Sequence, residues 1–248
     1  MSWPPAWPCV CCWTARKAYL STSSRRAKIG SRKFRRGPAL WIHVGTVISL
    51  AERRRARARG GARARRVTFY FDLADPATYL AAERVDRLPV AVHWQPATVA
   101  TATPMSRATA VRRARELGLP VVWPQRQPAA LAMPMRVAAY ATRQGRGAEF
   151  VLAATRLAFC GGFDLQDPAV FAEAVAAAGL DLGGALWAAS AGELDAEIRA
   201  AGRFLAGHGA TALPVVQVGR TLLAGEARLA EAAAALRGDG LVRTPAFR

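Results

Sequence analysis

The stretch Val67-Thr-Phe-Tyr-Phe-Asp-Leu-Ala-Asp-Pro76 contains the junction that decides the fold of this chain. Its first half, Val67–Asp72, is rich in β-branched and aromatic residues, which is typical of a strand. Asp75 is a residue type that caps helices, and Pro76 fits the first helical position because proline lacks the N–H that would be unpaired there. The stretch therefore predicts a strand that leads directly into a helix.

The residues after this junction predict one β-α-β unit and then a long helical block. We expect the first helix to run from Pro76 to about Arg87. The second strand, Val90–Trp94, should pair parallel with the first through a right-handed crossover. Between residues 105 and 207, glycine and proline breaks separate helical segments. These are Arg107–Leu117, Met133–Arg143, Ala148–Phe159, Pro168–Ala178 and Glu193–Ala206, with a short turn at Gly184–Ala189.

The chain then returns to strands. Pro214–Val218 and Thr221–Ala224 predict an antiparallel hairpin on a Gly-Arg turn, and Glu226–Leu236 predicts a closing helix. The order β-α-β, helical block, β-β-α predicts an α/β fold with a four-stranded thioredoxin-like core. The core is expected to comprise residues 67–104 and 208–248, with an inserted α-helical domain at 105–207.

The charge of the chain is concentrated at its N-terminus. The formal net charge is +18, but residues 1–66 carry 17 lysines and arginines against one acid, Glu52, while residues 67–248 carry 18 against 16. The body is therefore not a basic nucleic-acid-binding domain. Residues 1–66 show no sustained apolar period and are expected to be disordered. They are either a polybasic arm for nucleic acid or anionic lipid, or not part of the natural protein, whose translation would start near Val67.

Several function classes are excluded. No apolar stretch is long enough for a transmembrane helix, so no membrane partner is expected. Of the four cysteines only Cys160 lies in the body, which indicates a reducing, cytoplasmic location. His93 and His208 have no cysteine or carboxylate at metal-ligand spacing, so no metal site is expected. Cys160 is expected to be a small buried residue.

Four short motifs resemble one family in the same order. Phe69-Tyr-Phe-Asp-Leu-Ala-Asp-Pro-Ala-Thr-Tyr-Leu-Ala81 is similar to the opening strand and helix of 2-hydroxychromene-2-carboxylate isomerases and kappa-class glutathione transferases, in the DsbA-like branch of the thioredoxin superfamily. The segment 114–124 resembles an isomerase stretch, 209–219 the cis-proline segment of the branch, and 225–229 the turn that opens its last helix.

The resemblance places a catalytic site at the start of the first helix. Redox members have a Cys-x-x-Cys pair there and the isomerases begin with serine, whereas this chain reads Asp75-Pro-Ala-Thr78. Without a cysteine at either position, dithiol-disulfide exchange has no nucleophile. Asp75 and Thr78 are the candidate catalytic residues, with Asp75 as a proton donor or a general base. The alternatives are that Asp75 is only a helix cap and that Thr78 only packs.

The same resemblance implies a binding site for a thiol and a substrate. The Leu213–Pro214 peptide bond should be cis and should lie beside the helix start at Asp75. Gly225 and Glu226 stand where the family holds the γ-glutamyl carboxylate of glutathione. Apart from the resemblance, Trp123 is a candidate wall of a substrate cleft between the core and the insert, or it simply fills the core of the insert. Glutathione or another low-molecular-weight thiol is the expected cofactor, although carboxylates at Asp75 and Glu226 would repel it.

Two functions remain open from the sequence. One is an isomerase or thiol-dependent transferase that acts on a small aromatic or electrophilic substrate held between the core and the insert. The other is a catalytically silent thioredoxin-fold binding protein. The expected partner is a small molecule, a homodimer stays open, and nucleic acid is expected only through residues 1–66.

Overall fold

The computed structural model describes residues 66–124 and 131–237. The expectations for the basic segment 1–66, of which only Arg66 is described, and for residues 238–248 at the end of the core lie outside these ranges. Within them the chain follows the predicted order of strands and helices.

A four-stranded sheet forms the centre of the fold. Its strands are β1 (Val67–Phe71), β2 (Val92–Pro96), β3 (Val215–Val218) and β4 (Thr221–Ala224). They lie side by side in the order β2-β1-β3-β4, with β1 parallel to β2 and antiparallel to β3, and β3 antiparallel to β4. The thioredoxin-like α/β fold predicted from the sequence is therefore confirmed.

The helices follow the prediction closely. They are α1 (Pro76–Val85), α2 (Arg107–Leu117), α3 (Ala132–Arg143), α4 (Gly147–Phe159), α5 (Pro168–Ala177), α6 (Leu182–Ser190), α7 (Leu194–Gly207) and α8 (Leu229–Arg237), the last preceded by a 3₁₀ turn at Glu226–Arg228. The capping residue of α1 is Asp75, with Pro76 in the first turn, as the sequence predicts.

Two elements differ from the prediction. Strand β2 begins at Val92 and not at Val90, because the residues after α1 form turns before the chain re-enters the sheet. Helix α6 is a full helix where a short turn was expected. Asp181 caps it by accepting the N–H of Gly184 at 2.7 Å. A Cβ atom at Gly184 would overlap the Tyr140 hydroxyl, so this glycine permits close packing of α6 on α3.

Both faces of the sheet are covered. On one face, Phe69, Phe71 and Trp94 form ring contacts within a large buried cluster that includes apolar residues of β1, β3 and the inserted helices. On the other face, Val215 packs in a smaller cluster with Leu205 of α7. The inserted helices thus share the main core with the strands and fix the position of the sheet edge that carries the candidate site.

Candidate active site

The candidate site lies at the edge where β1 ends and β3 begins. Tyr70 of β1 is opposite Val215 of β3, so the residues after β1 and the residues before β3 emerge together. The Leu213–Pro214 bond is cis, which confirms the sequence prediction. Leu213 and Pro214 are both buried, and the Pro214 carbonyl accepts the N–H of Gly225 at 2.8 Å. The cis-proline segment is therefore held against the start of the closing helix.

The side chain of Asp75 occupies the first turn of α1 at this edge. Its Oδ1 atom accepts the N–H of Ala77 at 2.8 Å and the N–H of Met105 at 3.2 Å. Asp75 is only 5% exposed. Burial raises its pKa to about 6, opposed by the two backbone hydrogen bonds and reinforced by the nearby charge of Asp72. A carboxyl group with this pKa exchanges protons near neutral pH.

A second carboxylate, Asp72, lies at the end of β1. Its Oδ1 accepts the N–H of Ala74 at 2.9 Å. Burial raises the pKa of this group as well, while the hydrogen bond from Ala74 opposes the rise. The sequence interpretation had not singled out Asp72. The sequence feature that could have identified Asp72 as a site residue is its position between the strand and the helix cap.

Thr78 is fully buried, and its hydroxyl donates a hydrogen bond to the Asp72 carbonyl at 2.6 Å. The hydroxyl proton therefore closes the turn between β1 and α1. This contact gives Thr78 a structural role in the turn that carries Asp72 and Asp75, and a catalytic role of its hydroxyl stays a prediction.

The chain contains a second Asp-Pro helix start that shows what is particular to Asp75. Asp167 caps α5, with Pro168 following, by accepting the N–H of Ala169 at 2.8 Å. Asp167 is exposed, whereas Asp75 is buried and accepts a further N–H from Met105. Capping alone does not require the burial seen at Asp75.

Glu226 belongs to an ion-pair cluster. Its side chain is 1% exposed and pairs with Arg84 of α1 and Arg113 of α2. The Arg113 contacts are bidentate, at 2.8 and 3.3 Å. Two guanidinium groups compensate the carboxylate, so the repulsion of a ligand expected from the sequence is offset. The contacts assign Glu226 to joining three elements.

Gly225, which precedes Glu226, has φ of 89° and ψ of 149°. This left-handed φ is one that residues with a side chain rarely adopt, which explains the glycine. Its N–H bond to Pro214 places it in the framework behind the cis-proline segment.

Trp123 lies in an aromatic group beside α1. Its ring centroid is 6.1 Å from that of Phe159, which in turn stacks on Tyr79 at 6.0 Å. The Arg107 guanidinium carbon lies 5.5 Å from the centroid of the Trp123 ring. Trp123 is half-buried and Arg107 is exposed. The sequence interpretation had included Trp123 but not Arg107, which follows the helix cap Ser106 without a local motif of its own.

Cys160 follows the end of α4 and is half-buried. Its thiol donates to the Tyr79 hydroxyl at 3.0 Å. It lies at a helix C-terminus, which does not favour a thiolate. Within residues 66–124 and 131–237, no group of three or more His, Cys, Asp or Glu residues is placed to hold a metal ion. None of the helices in these ranges is both long and apolar enough to cross a bilayer.

Comparison with solved structures gives the same fold. The structure of 2-hydroxychromene-2-carboxylate isomerase matches with a TM-score of 0.60 and 17% identity over 69% of this chain and 94% of its own. A probable DsbA oxidoreductase from Streptomyces coelicolor matches with a TM-score of 0.54 and 22% identity, over 74% of this chain and 93% of its own. The cytosolic disulfide reductase DsbM from Pseudomonas aeruginosa, solved with GSH, matches with a TM-score of 0.51 and 20% identity, over 63% of this chain and 87% of its own. At these identities the similarity shows the fold alone.

No curated protein sequence matches the chain. The family model of the DSBA-like thioredoxin domain matches residues 66–237, which include both sides of the site and all the inserted helices. The chain belongs to the DSBA-like thioredoxin domain family.

Proposed function

We propose that this protein is an isomerase of the 2-hydroxychromene-2-carboxylate isomerase type, with Asp75 as its acid–base group. The observation that carries the proposal is the buried Asp75 carboxyl, with a pKa raised to about 6, at the sheet edge that also holds the cis-proline segment. The fold similarity to that isomerase supports the substrate class, a small aromatic carboxylate.

An isomerisation needs a group that takes a proton and then returns it. In a 2-hydroxychromene-2-carboxylate, one carbon carries a hydroxyl, a carboxylate and the ring oxygen. Ionised Asp75 accepts the hydroxyl proton, the C–O bond to the ring oxygen breaks, and a carbonyl forms at that carbon. Protonated Asp75 then gives the proton to the released phenolate oxygen. Atoms and charge balance, and the carboxylate is regenerated.

The first step requires ionised Asp75, so kcat/KM should rise with pH through about 6 and then level off. Asp75→Asn keeps an oxygen for the Ala77 and Met105 N–H groups but cannot take the proton. The matched control is Asp167→Asn, which changes the exposed cap of α5 in the same way.

The experiment measures isomerisation of 2-hydroxychromene-2-carboxylate by absorbance with the full-length chain. We expect Asp75→Asn to lower kcat/KM by roughly 100-fold or more and Asp167→Asn to leave it unchanged, because general acid–base catalysis contributes about 10² to 10⁴ in rate. Equal activity of wild type and Asp75→Asn would overturn the role of Asp75.

A thiol-dependent form of the reaction is the second candidate, because the cis Leu213–Pro214 bond lies at the edge where α1 begins. A thiolate about 4 Å from ionised Asp75 would be repelled by roughly 4 kcal/mol, against about 1 kcal/mol of helix-end stabilisation. We therefore propose a reaction without a bound thiolate. Repeating the assay with glutathione tests this: a large increase in wild type favours the thiol-dependent transferase type, and no increase supports the acid–base isomerase.

The alternative function is a catalytically silent binding protein. The hydrogen bond from the Ala77 N–H to Asp75 supports it, because a helix cap needs no catalytic role. This alternative predicts no turnover by wild type or by Asp75→Ser with or without glutathione. The cytosolic location of DsbM supports the further proposal that this chain works in the cytoplasm.

A further inference from the structure

We propose that Arg107 and Trp123 form the subsite that binds the carboxylate and the aromatic ring of the substrate. This inference rests on the proposed function and names how the substrate is oriented relative to Asp75. It comes from a closed circuit of contacts around the first turn of α1.

One side of the circuit is the hydrogen bond between Asp75 and the N–H of Met105. Met105 is followed by Ser106, which caps α2, and by Arg107, the first residue of that helix. The bond therefore places the start of α2 beside the start of α1. Arg107 projects from a backbone that is tied to Asp75.

The other side of the circuit starts at Tyr79. Tyr79 is one turn beyond Asp75, so both residues lie on the same face of α1. Its hydroxyl donates to the Pro120 carbonyl at 2.8 Å, and its ring stacks on Phe159. Trp123 packs on Phe159 three residues after Pro120. The position of Trp123 is thus fixed relative to the same helical turn.

The contact between Arg107 and Trp123 closes the circuit. The two sides start from residues one helical turn apart and meet at this pair. The guanidinium and the indole therefore belong to two segments that are each joined by hydrogen bonds to the first two turns of α1, one through Asp75 and one through Tyr79.

The pair has the chemistry that recognises an aromatic carboxylate. A guanidinium that lies over an aromatic ring in a cation–π contact keeps N–H donors for a bidentate bond to a carboxylate. Arg107 is exposed, and among the residues that the structure describes no carboxylate forms a salt bridge with it. Arg84 and Arg113, in contrast, are paired with Glu226. The half-buried Trp123 ring offers an apolar surface to an aromatic ligand.

Charge determines the direction in which the substrate binds. Ionised Asp75 repels a ligand carboxylate, and Arg107 attracts it. The anionic end of the substrate therefore lies at Arg107, and the hydroxyl on the same carbon is directed towards Asp75. The substrate is held by its carboxylate and reacts through its hydroxyl.

The test compares Arg107→Gln with Arg112→Gln, a matched control on the same helix whose arginine side chain is 73% exposed. With the full-length chain, Arg107→Gln should raise KM for the carboxylate substrate roughly 10- to 100-fold, the range of one charge-assisted hydrogen bond, with kcat within about threefold. The corresponding carboxamide should be turned over equally by both variants. Equal effects of the two substitutions, or an equal loss with the carboxamide, would overturn the subsite.

A binding measurement separates this inference from the proposed function. Chromone-2-carboxylate is a planar analogue that lacks the reacting hydroxyl, and its affinity is measured by calorimetry for wild type, Arg107→Gln, Arg107→Lys and Trp123→Leu. We expect weaker binding in all three variants, with lysine restoring part of the affinity lost with glutamine. Arg107-dependent binding without any isomerisation would support the subsite and overturn the isomerase. Isomerisation together with binding that is unchanged in the Arg107 and Trp123 variants would support the isomerase and overturn the subsite.

Discussion

The hydroxyl of Tyr79 donates a hydrogen bond to the carbonyl of Pro120 at 2.8 Å and so joins the first helix to the segment that carries Trp123. Tyr79→Phe removes this bond together with the acceptor of the Cys160 thiol, and it leaves the carbonyl with the longer contact from that thiol, at 3.9 Å. We expect a loss of about 1 to 2 kcal/mol in the free energy of unfolding and a several-fold increase in KM, because Trp123 is held less firmly.

Tyr70→Phe is the control for this prediction. It removes a side-chain hydrogen bond of 3.0 Å to Gln217 from a residue within β1. Urea unfolding and steady-state kinetics should show a comparable loss of stability and an unchanged KM. A KM increase in both variants, or in neither, would argue against the positioning role of Tyr79.

The raised pKa of Asp75 makes the stability of the protein depend on pH. The folded state holds this proton up to about pH 6, whereas the ordinary value is 3.8. Unfolding therefore releases a proton in this window, and the free energy of unfolding falls as pH rises from about 4 to 6. The contribution of this one group is on the order of 3 kcal/mol and is fully lost above the folded pKa.

Asp75→Asn should remove this loss. Because asparagine caps helices about as well as aspartate, the variant should be more stable than wild type by about 2 kcal/mol near pH 8 and similar to it near pH 4. The pH dependence that remains in the free energy of unfolding of the variant is expected from Asp72, whose pKa is also raised. Urea unfolding across this range is the measurement, with Asp167→Asn as the control, and an Asp75→Asn variant that is less stable at every pH would contradict the prediction.

The ion pairs of Glu226 should contribute strongly to stability. Glu226→Gln leaves the Arg84 and Arg113 guanidinium groups without the carboxylate that both contact. We expect a cost of about 3 kcal/mol, as for other broken buried pairs. Glu231→Gln, which breaks a more exposed pair with Arg228, should cost less than about 1 kcal/mol by the same thermal or urea measurement. Equal costs would show that burial of Glu226 is unimportant.

Close packing at Gly202 predicts a steric effect. A Cβ atom there would overlap the carbonyl oxygen of Thr98, which is a backbone atom and cannot turn away. Gly202→Ala should therefore lower the free energy of unfolding by about 1 to 3 kcal/mol despite the better helix propensity of alanine. At Gly207, in the same helix, an added Cβ meets nothing within 4 Å. Gly207→Ala should be neutral or slightly stabilising, and a similar result at both positions would contradict the packing argument.

Most of the fold could be predicted because its signals are local. The run Val67–Phe71 and the Asp75-Pro76 cap are recognisable within a few residues, and the cis bond before Pro214 followed from one motif. The missed helix α6 shows the limit. Its two adjacent glycines indicate a break, whereas in the structure Asp181 caps a helix there and Gly184 leaves room for the Tyr140 hydroxyl of α3.

The site could be predicted only in part because its key contacts join residues far apart in the sequence. Asp75 was recognisable as a cap, but its second hydrogen bond comes from the backbone of Met105, 30 residues further along the chain. The ion pairs of Glu226 could not be predicted because its arginine partners belong to α1 and α2 and have no local pattern, and its role in ligand binding stays a prediction. Arg107 became a candidate only when its contact with Trp123 was known.

The central position of β1 has a consequence for synthesis on the ribosome. Its parallel neighbour β2 follows soon after it, but its antiparallel neighbour β3 is made only after all the inserted helices. During translation one edge of β1 therefore has its backbone N–H and C=O groups unpaired while a helical region of the chain is still emerging. Such an edge is a template for pairing with another nascent chain. A message truncated before Val215 would leave that edge permanently open, and its product is expected to aggregate or be degraded.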